Sequence, residues 1–325
     1  MQVTRRTLIA AAIAAWAAPS WASSSAYPDG RAIKLVVPYT PGGGTDTVAR
    51  FIASKIAADT NWTIVIDNRP GAGGNIGMDA VAKSRPDGLT IGMGQTSNLA
   101  INPALQPKMP FNAREDFAPI AIVASLPVVL VVRNGSPYQT LQDVIQAAKA
   151  KPGDLKQALA GPGTVGHLAG ELLAYQAQFQ VLNVPYKGAA PALTDLLGGS
   201  TDFMFSTPQS ILEMLKGKRL RALAVTSSQR LSIMPDVPTV AELGFPGFEA
   251  VDWKALIAPV QTSAEVVQAV NQAAQQVLQR QETVELLEQE GSQPILGSPA
   301  QAQAYIQAEQ AKWAKLIAQA NIKFE

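Results

Sequence analysis

The sequence predicts an α/β fold in two units, each a sheet covered by helices. Three observations carry this: short β-branched runs alternate with stretches of helical periodicity, a glycine-rich turn follows a strand in each half, and 325 residues suffice for two domains of ordinary size. In the first unit Ile33-Val37 reads as a strand, and Val48, Phe51, Ile52 and Ile56 recur at helical spacing after it. Thr63-Ile66 and Leu89-Met93 are further strands, separated by a glycine-rich turn (Gly71 to Gly77) and a short helix from Met78 to Ser84. A parallel sheet is expected, ending near residue 125. The apolar run Ala118 to Val132 contains Pro127 and many β-branched residues, so it reads as two buried strand segments rather than a membrane span.

The second unit begins beyond Val128-Val132, where Thr140-Leu141-Gln142-Asp143 has the form of a capping box. Strands at Gln157-Ala160, Val181-Pro185, Asp202-Phe205 and Leu220-Thr226 alternate with helices, one of which starts at Pro191 and stops at Gly198-Gly199. Trp253 to Val260 is an extended segment expected to run back into the first unit. Two helices close the chain, one capped at Ser263 and one opened by Ser298-Pro299. The expected division is 27–125 plus 251–325 for lobe I and 126–250 for lobe II.

Composition excludes several functions. Lys and Arg number 26 against 25 acids, so no net field exists to hold nucleic acid through many phosphate contacts. Arg5 and Arg6, the apolar stretch Leu8 to Ala18 and Ser20-Trp21-Ala22 read as an export signal at 1–22, cleaved near Ala22, and place the mature chain in the periplasm. Thr4-Arg5-Arg6-Thr7-Leu8-Ile9 resembles a twin-arginine signal, and the general secretory route stays equally open. The sequence has no cysteine, so stability must come from the core, and with a single histidine no His/Cys metal site can be assembled. No cofactor is expected, and the chain reads as a monomer.

Both units carry the same device at the carboxyl end of a strand. In the first, Tyr39-Thr40-Pro41-Gly42-Gly43-Gly44-Thr45-Asp46 runs into a helix; in the second, Ala160-Gly161-Pro162-Gly163-Thr164-Val165-Gly166-His167 does so. Open α/β sheets bind ligands at this end, and two such turns facing one cleft would aim free helix N-terminal N–H groups at one anion. A carboxylate suits that geometry.

Gly161-Pro162-Gly163-Thr164-Val165-Gly166 also matches a dinucleotide fingerprint, but the following strand ends at Lys187 where an acid should meet the ribose, and Pro162 removes an N–H. His167 could touch ligand, pack internally, or act as a base in a hydrolase, although no G-x-S-x-G elbow accompanies it. Asp46 reads as a helix N-cap or a ligand contact. Thr96 and Ser97, within Gly94-Gln95-Thr96-Ser97-Asn98, either cap a turn or line the cleft, and Ser206 ends a strand in the same way. Lys254 interrupts an apolar run, as an outward residue or as a cleft cation that meets a second carboxylate.

Seven motifs in order resemble the tripartite tricarboxylate transporter substrate-binding receptors, the Bug family. They are Val36-Val37-Pro38-Tyr39-Thr40-Pro41-Gly42-Gly43, Asn68-Arg69-Pro70-Gly71-Ala72-Gly73-Gly74-Asn75-Ile76-Gly77, Ile101-Asn102-Pro103-Ala104-Leu105, His167-Leu168-Ala169-Gly170-Glu171, Val184-Pro185-Tyr186-Lys187-Gly188, Leu220-Arg221-Ala222-Leu223-Ala224-Val225-Thr226 and Pro235-Asp236-Val237-Pro238-Thr239. The resemblance implies a two-domain periplasmic-binding-protein architecture of the type II Venus-flytrap kind, with hinge strands, that holds a ligand carboxylate between two glycine-rich loops through backbone groups and ordered waters. It points to Tyr39, Thr40, Gly43, Gly44 and Asp46 on one side and Gly163, Thr164 and His167 opposite, with Thr96, Ser97, Tyr186, Ser206 and Lys254 completing the candidate set. Many members carry an acid where Ser206 stands and an aromatic residue where Lys254 stands. Losing an acid and gaining a base favours a dicarboxylate over an amino acid. The implied partners are the small ligand and the membrane permease subunits of such a transporter, and a sensory role with a membrane signalling partner is the alternative.

Overall fold

The computed structural model describes residues 27–322 apart from Gly43, Pro107, Lys187 and Glu290; the export signal read at 1–22 lies outside the described residues. In chain order, β1 (Ile33–Val37) leads to α1 (Gly44–Thr60), β2 (Ile64–Asn68), α2 (Asn75–Ala82) and β3 (Thr90–Gln95). A π turn at Ser97–Ile101 then runs into the short α3 (Asn102–Leu105), followed by β4 (Phe117–Pro127). The chain crosses over at Val128 to β5 (Val129–Arg133), α4 (Leu141–Ala150), β6 (Lys156–Leu159), α5 (Val165–Ala177), β7 (Leu182–Pro185), α6 (Ala189–Gly198), β8 (Phe203–Ser206), α7 (Pro208–Lys216) and β9 (Leu220–Val225). It returns through β10 (Val251–Pro259) and closes with α8 (Ala264–Leu278), α9 (Gln281–Gln289) and α10 (Pro299–Gln319).

The strands form two five-stranded sheets, β2-β1-β3-β10-β4 and β7-β6-β8-β5-β9. Each repeats one plan: three consecutive strands, β1 to β3 in one and β6 to β8 in the other, pair in parallel, and the strand that arrives by a crossover, β10 or β5, is inserted antiparallel before the last. The sheets are therefore mixed, which corrects the expectation of a parallel sheet. A strand arriving from the other lobe enters from the cleft end, where the parallel strands finish, so it must run against them. The expected return of the Trp253 segment is observed, as is the division of the apolar run at Pro127 into β4 and β5.

Apolar periodicity places the helices as expected. α1 buries Val48, Ala49, Ile52, Ala53 and Ile56 against the first sheet, beside Val267, Val270 and Val277 of α8. Thr140 opens α4 with a complete capping box, its side chain accepting from Asp143 N while the Asp143 carboxylate accepts from Thr140 N at 2.9 Å. α6 begins at Ala189 rather than Pro191, and Pro191 stays inside the first turn, where an N–H would lack an intrahelical acceptor anyway. α9 and the π turn were not foreseen; α9 buries only Thr283 and Leu287, too few apolar positions to mark a period.

The crossovers are fastened by two buried threonines. The Thr226 hydroxyl accepts from Val128 N at 2.9 Å and donates to Ala250 O at 2.5 Å, joining both crossing segments. Thr96, fully buried, accepts from Trp253 N at 2.8 Å. One apolar cluster runs through the junction, taking in Leu99, Ile101 and Trp253 of the first lobe with Val165, Leu168 and Phe205 of the second. α10 locks β10 from behind: Glu309 Oε2 accepts from the Trp253 indole at 3.0 Å and the Trp313 indole at 3.1 Å, its other oxygen pairs with Lys312, and Tyr305 packs edge-on to Trp253 at 5.8 Å. Among the described residues no helix is long and apolar enough to cross a membrane.

Glu309→Ala leaves two buried indole donors without an acceptor and should lower the unfolding free energy by about 3 kcal/mol. Glu309→Gln retains an acceptor and should lose less than half of that, as read from urea denaturation followed by tryptophan fluorescence.

Candidate functional site

A cavity of about 180 Å³ lies between the sheets at the carboxyl ends of their parallel strands. Gly44, Thr45, Gln95, Ser97, Asp252 and Lys254 line it from the first lobe. Thr164, Val165, Gly166, Ser206, Thr207 and Gln209 face them from the second. Leu126, Val128 and Phe205 give the walls apolar stretches. The first residues of α1 and α5 thus meet across one space, and the N–H groups of a helix's first turn have no intrahelical acceptors. Both helix dipoles add positive potential there.

Each loop is held by its own helix. Asp46, in the first turn of α1, accepts from Gly42 N at 2.9 Å, from Arg50 Nε at 2.8 Å and from Asn68 Nδ2 at 2.8 Å. Burial pushes its pKa up, and the hydrogen bonds from Arg50, Asn68 and the Gly42 amide outweigh that and hold the carboxyl below the usual carboxylate range. In α5, Thr164 caps the helix and its hydroxyl donates to Gly161 O at 2.8 Å. His167 is only 6% exposed, and its Nδ1 accepts from Gly163 N at 3.2 Å while Nε2 lies 3.7 Å from Glu171 Oε1. Glu171 also accepts from Asn183 at 2.5 Å; burial raises its pKa, and His167 and Asn183 together bring it below the ordinary value. Gly166 is required by contact: a β-carbon there would sit 2.4 Å from Phe205 O, so α5 lies directly against the end of β8.

Of the residues singled out from sequence, Gly44, Ser97, Thr164, Ser206 and Lys254 line the cavity. Gly43 lies outside the described residues. The others are not part of the lining. Tyr39 donates to Gly73 O at 3.1 Å and accepts from Asn98 at 3.4 Å, Thr40 is exposed on the loop, and Thr96 is turned into the hinge. Gly163, at φ +72°, faces Asn102 of the opposite lobe closely enough that a β-carbon would come within 2.7 Å of its Oδ1. Asp46 and His167 are engaged in loop anchoring, and the Tyr186 hydroxyl donates to Asp195 at 2.6 Å.

Sequence reasoning missed Asp252 and Gln209, and singled out neither Thr45 nor Gln95 within the two segments that carry them. Asp252 is recoverable from the sequence, because residues two apart in a strand share a face and Lys254 is itself a candidate. Lys254 is 2% exposed, and its Nζ sits 3.3 Å from Asp252 Oδ2, so the cleft cation comes with an anion. Gln95, opposite Lys254 in the sheet register, accepts from the Thr45 hydroxyl at 2.6 Å. Gln209 donates to Ser292 Oγ at 3.2 Å and so ties α7 to the segment before α10.

Residues 48–322 match the family model described as a tripartite tricarboxylate transporter family receptor. Protein BugT of Bordetella pertussis is 36% identical over 304 residues, covering 93% of each chain. Among solved structures, R. palustris Rpa4515 with adipate superposes with a TM-score of 0.85 at 34% identity, covering 91% of this chain and 99% of that one. MatC from Rhodopseudomonas palustris with bound malate gives 0.79 at 30% identity, covering 88% and 99%. The chain belongs to the tripartite tricarboxylate transporter receptors, a family of periplasmic solute-binding proteins with two-lobed α/β architecture.

Proposed function

We propose that this protein captures a small dicarboxylate between its two lobes, performs no chemistry on it, and presents it to membrane permease subunits. The observation that carries the reading is the meeting of two helix starts, Gly44-Thr45 and Thr164-Val165-Gly166, across one cavity whose floor carries Lys254. One carboxylate takes the main-chain N–H groups of both loops, and the second takes Lys254. The adipate and malate bound in the two related structures have this form. The lobes are 27–125 with 251–325 and 126–250, hinged at the paired crossovers. Contacts to both loops are satisfied together only when the lobes are closed, so ligand shifts the population toward closure and the permease reads the closed surface.

The contacts of His167 support a receptor without chemistry. Its Nδ1 is taken by Gly163 N, its other nitrogen faces Glu171, and the residue does not line the cavity. It shapes the loop that holds the ligand.

A thermal-shift screen of the mature protein against mono-, di- and tricarboxylates and acidic amino acids should give its largest shift with a dicarboxylate, with saturation at a hundred times Kd adding about 2.7 kcal/mol of stability. A largest shift from an amino acid, or none from any carboxylate, would contradict the reading. Lys254→Met keeps the stem and removes the charge, and calorimetry should show about ten- to hundredfold weaker dicarboxylate binding, with a smaller change for a monocarboxylate of equal length. Gly166→Ala forces α5 off β8 and should weaken the same ligand by about tenfold or more. Gly198→Ala, where a β-carbon meets nothing within 4 Å, should leave binding unchanged.

A further inference from the structure

Two oxygens on the lining of the cleft lack partners. Asp252 Oδ1 and Ser206 Oγ are buried and make no hydrogen bond among the described residues, and Ser206 as a whole is 3% exposed. Buried polar atoms are paired in the great majority of cases, so an unpaired pair of them in a binding cavity describes what the ligand must supply. An ionised carboxylate oxygen can only accept, which means that Asp252 Oδ1 asks for a donor. A plain dicarboxylate has none. It would also bring its second carboxylate beside Asp252 as well as Lys254, with repulsion opposing attraction.

We propose that Asp252, with Ser206, forms a subsite on the cleft floor that reads a hydroxyl group on the carbon chain of the ligand. This rests on the proposed capture of a dicarboxylate and names its class: a hydroxydicarboxylate. The hydroxyl donates to Asp252 Oδ1, while Lys254, with three N–H donors and one directed to Asp252 Oδ2, keeps others for the ligand's second carboxylate. Ser206, able to donate or accept, completes the polar lining. An ammonium in place of the hydroxyl would crowd a second cation against a carboxylate already paired with Lys254. A hydroxyl satisfies the same oxygen without added charge.

The test compares ligands of one chain length that differ at one carbon. Succinate, malate and aspartate carry hydrogen, hydroxyl and ammonium there; adipate, 2-hydroxyadipate and 2-aminoadipate do the same for a longer chain. Calorimetric titration of the mature protein should show the hydroxyl member binding at least tenfold tighter than both others at whichever length binds. In Asp252→Ala, which removes the acceptor and the charge together, the hydroxyl preference should fall to within about threefold, with the unsubstituted diacid bound as well as or better than before, because the opposing charge is gone. Ser206→Ala, a smaller change, should reduce the preference in part. An unsubstituted diacid that binds equally well would mean that solvent meets both oxygens, and a tightest amino member would mean that Asp252 reads ammonium; either overturns the proposal. So does a preference that survives Asp252→Ala in a variant with wild-type circular dichroism. If no member of either series binds, the dicarboxylate reading itself fails, and the subsite falls with it.

Discussion

The antiparallel insertion of β10 between β3 and β4 is the constraint on which the cleft depends. Strand alternation sends Asp252 and Lys254 to the cavity and Trp253 to the opposite face. There Glu309 receives the Trp253 indole and α10 covers it, so the depth and angle of the cleft floor follow from packing on the far side of the sheet. The floor is therefore held by the core while the charges on it face the cavity. A buried lysine needs an anionic partner to offset its lost hydration, and Asp252 stands 3.3 Å from it.

The repeated strand order supplies the second element. In each sheet a strand ends at a glycine-rich turn that opens a helix, and insertion of the crossing strand brings both turns to one crevice. The anchoring differs between them. The first turn is tied by a carboxylate, Asp46, which collects Gly42 N, Arg50 and Asn68, whereas the second is tied by an imidazole, His167, which accepts from Gly163 N. Both arrangements hold the backbone of a turn in place, and preorganisation of that kind lowers the ordering cost of any binding there. The shared apolar cluster and the close approach of Gly163 to Asn102 bring the lobes together beside that crevice.

Periodicity and turn chemistry were legible in the residues because they are local. The strand at Ile33-Val37, the face of Val48, Ile52 and Ile56, the capping box at Thr140 and the two glycine turns all appear where the sequence puts them. Which atoms reach the cleft was less legible, since it depends on direction. Thr96 and Ser97 are neighbours, yet one fastens the hinge and the other lines the cavity; Asp46 and His167 stand next to lining residues and point back into their own loops. The mixed pairing of each sheet and the Lys254–Asp252 pair arise from contacts between segments far apart in the chain or from a strand face recognised only after its neighbours are known.

A crystal structure of the mature protein with a bound dicarboxylate measures the account most directly. One ligand carboxylate should lie within hydrogen-bonding distance of main-chain N–H groups from both Gly44-Thr45 and Val165-Gly166, with the other within reach of Lys254 Nζ. A ligand held by one lobe alone, or bound away from this cavity, would contradict it.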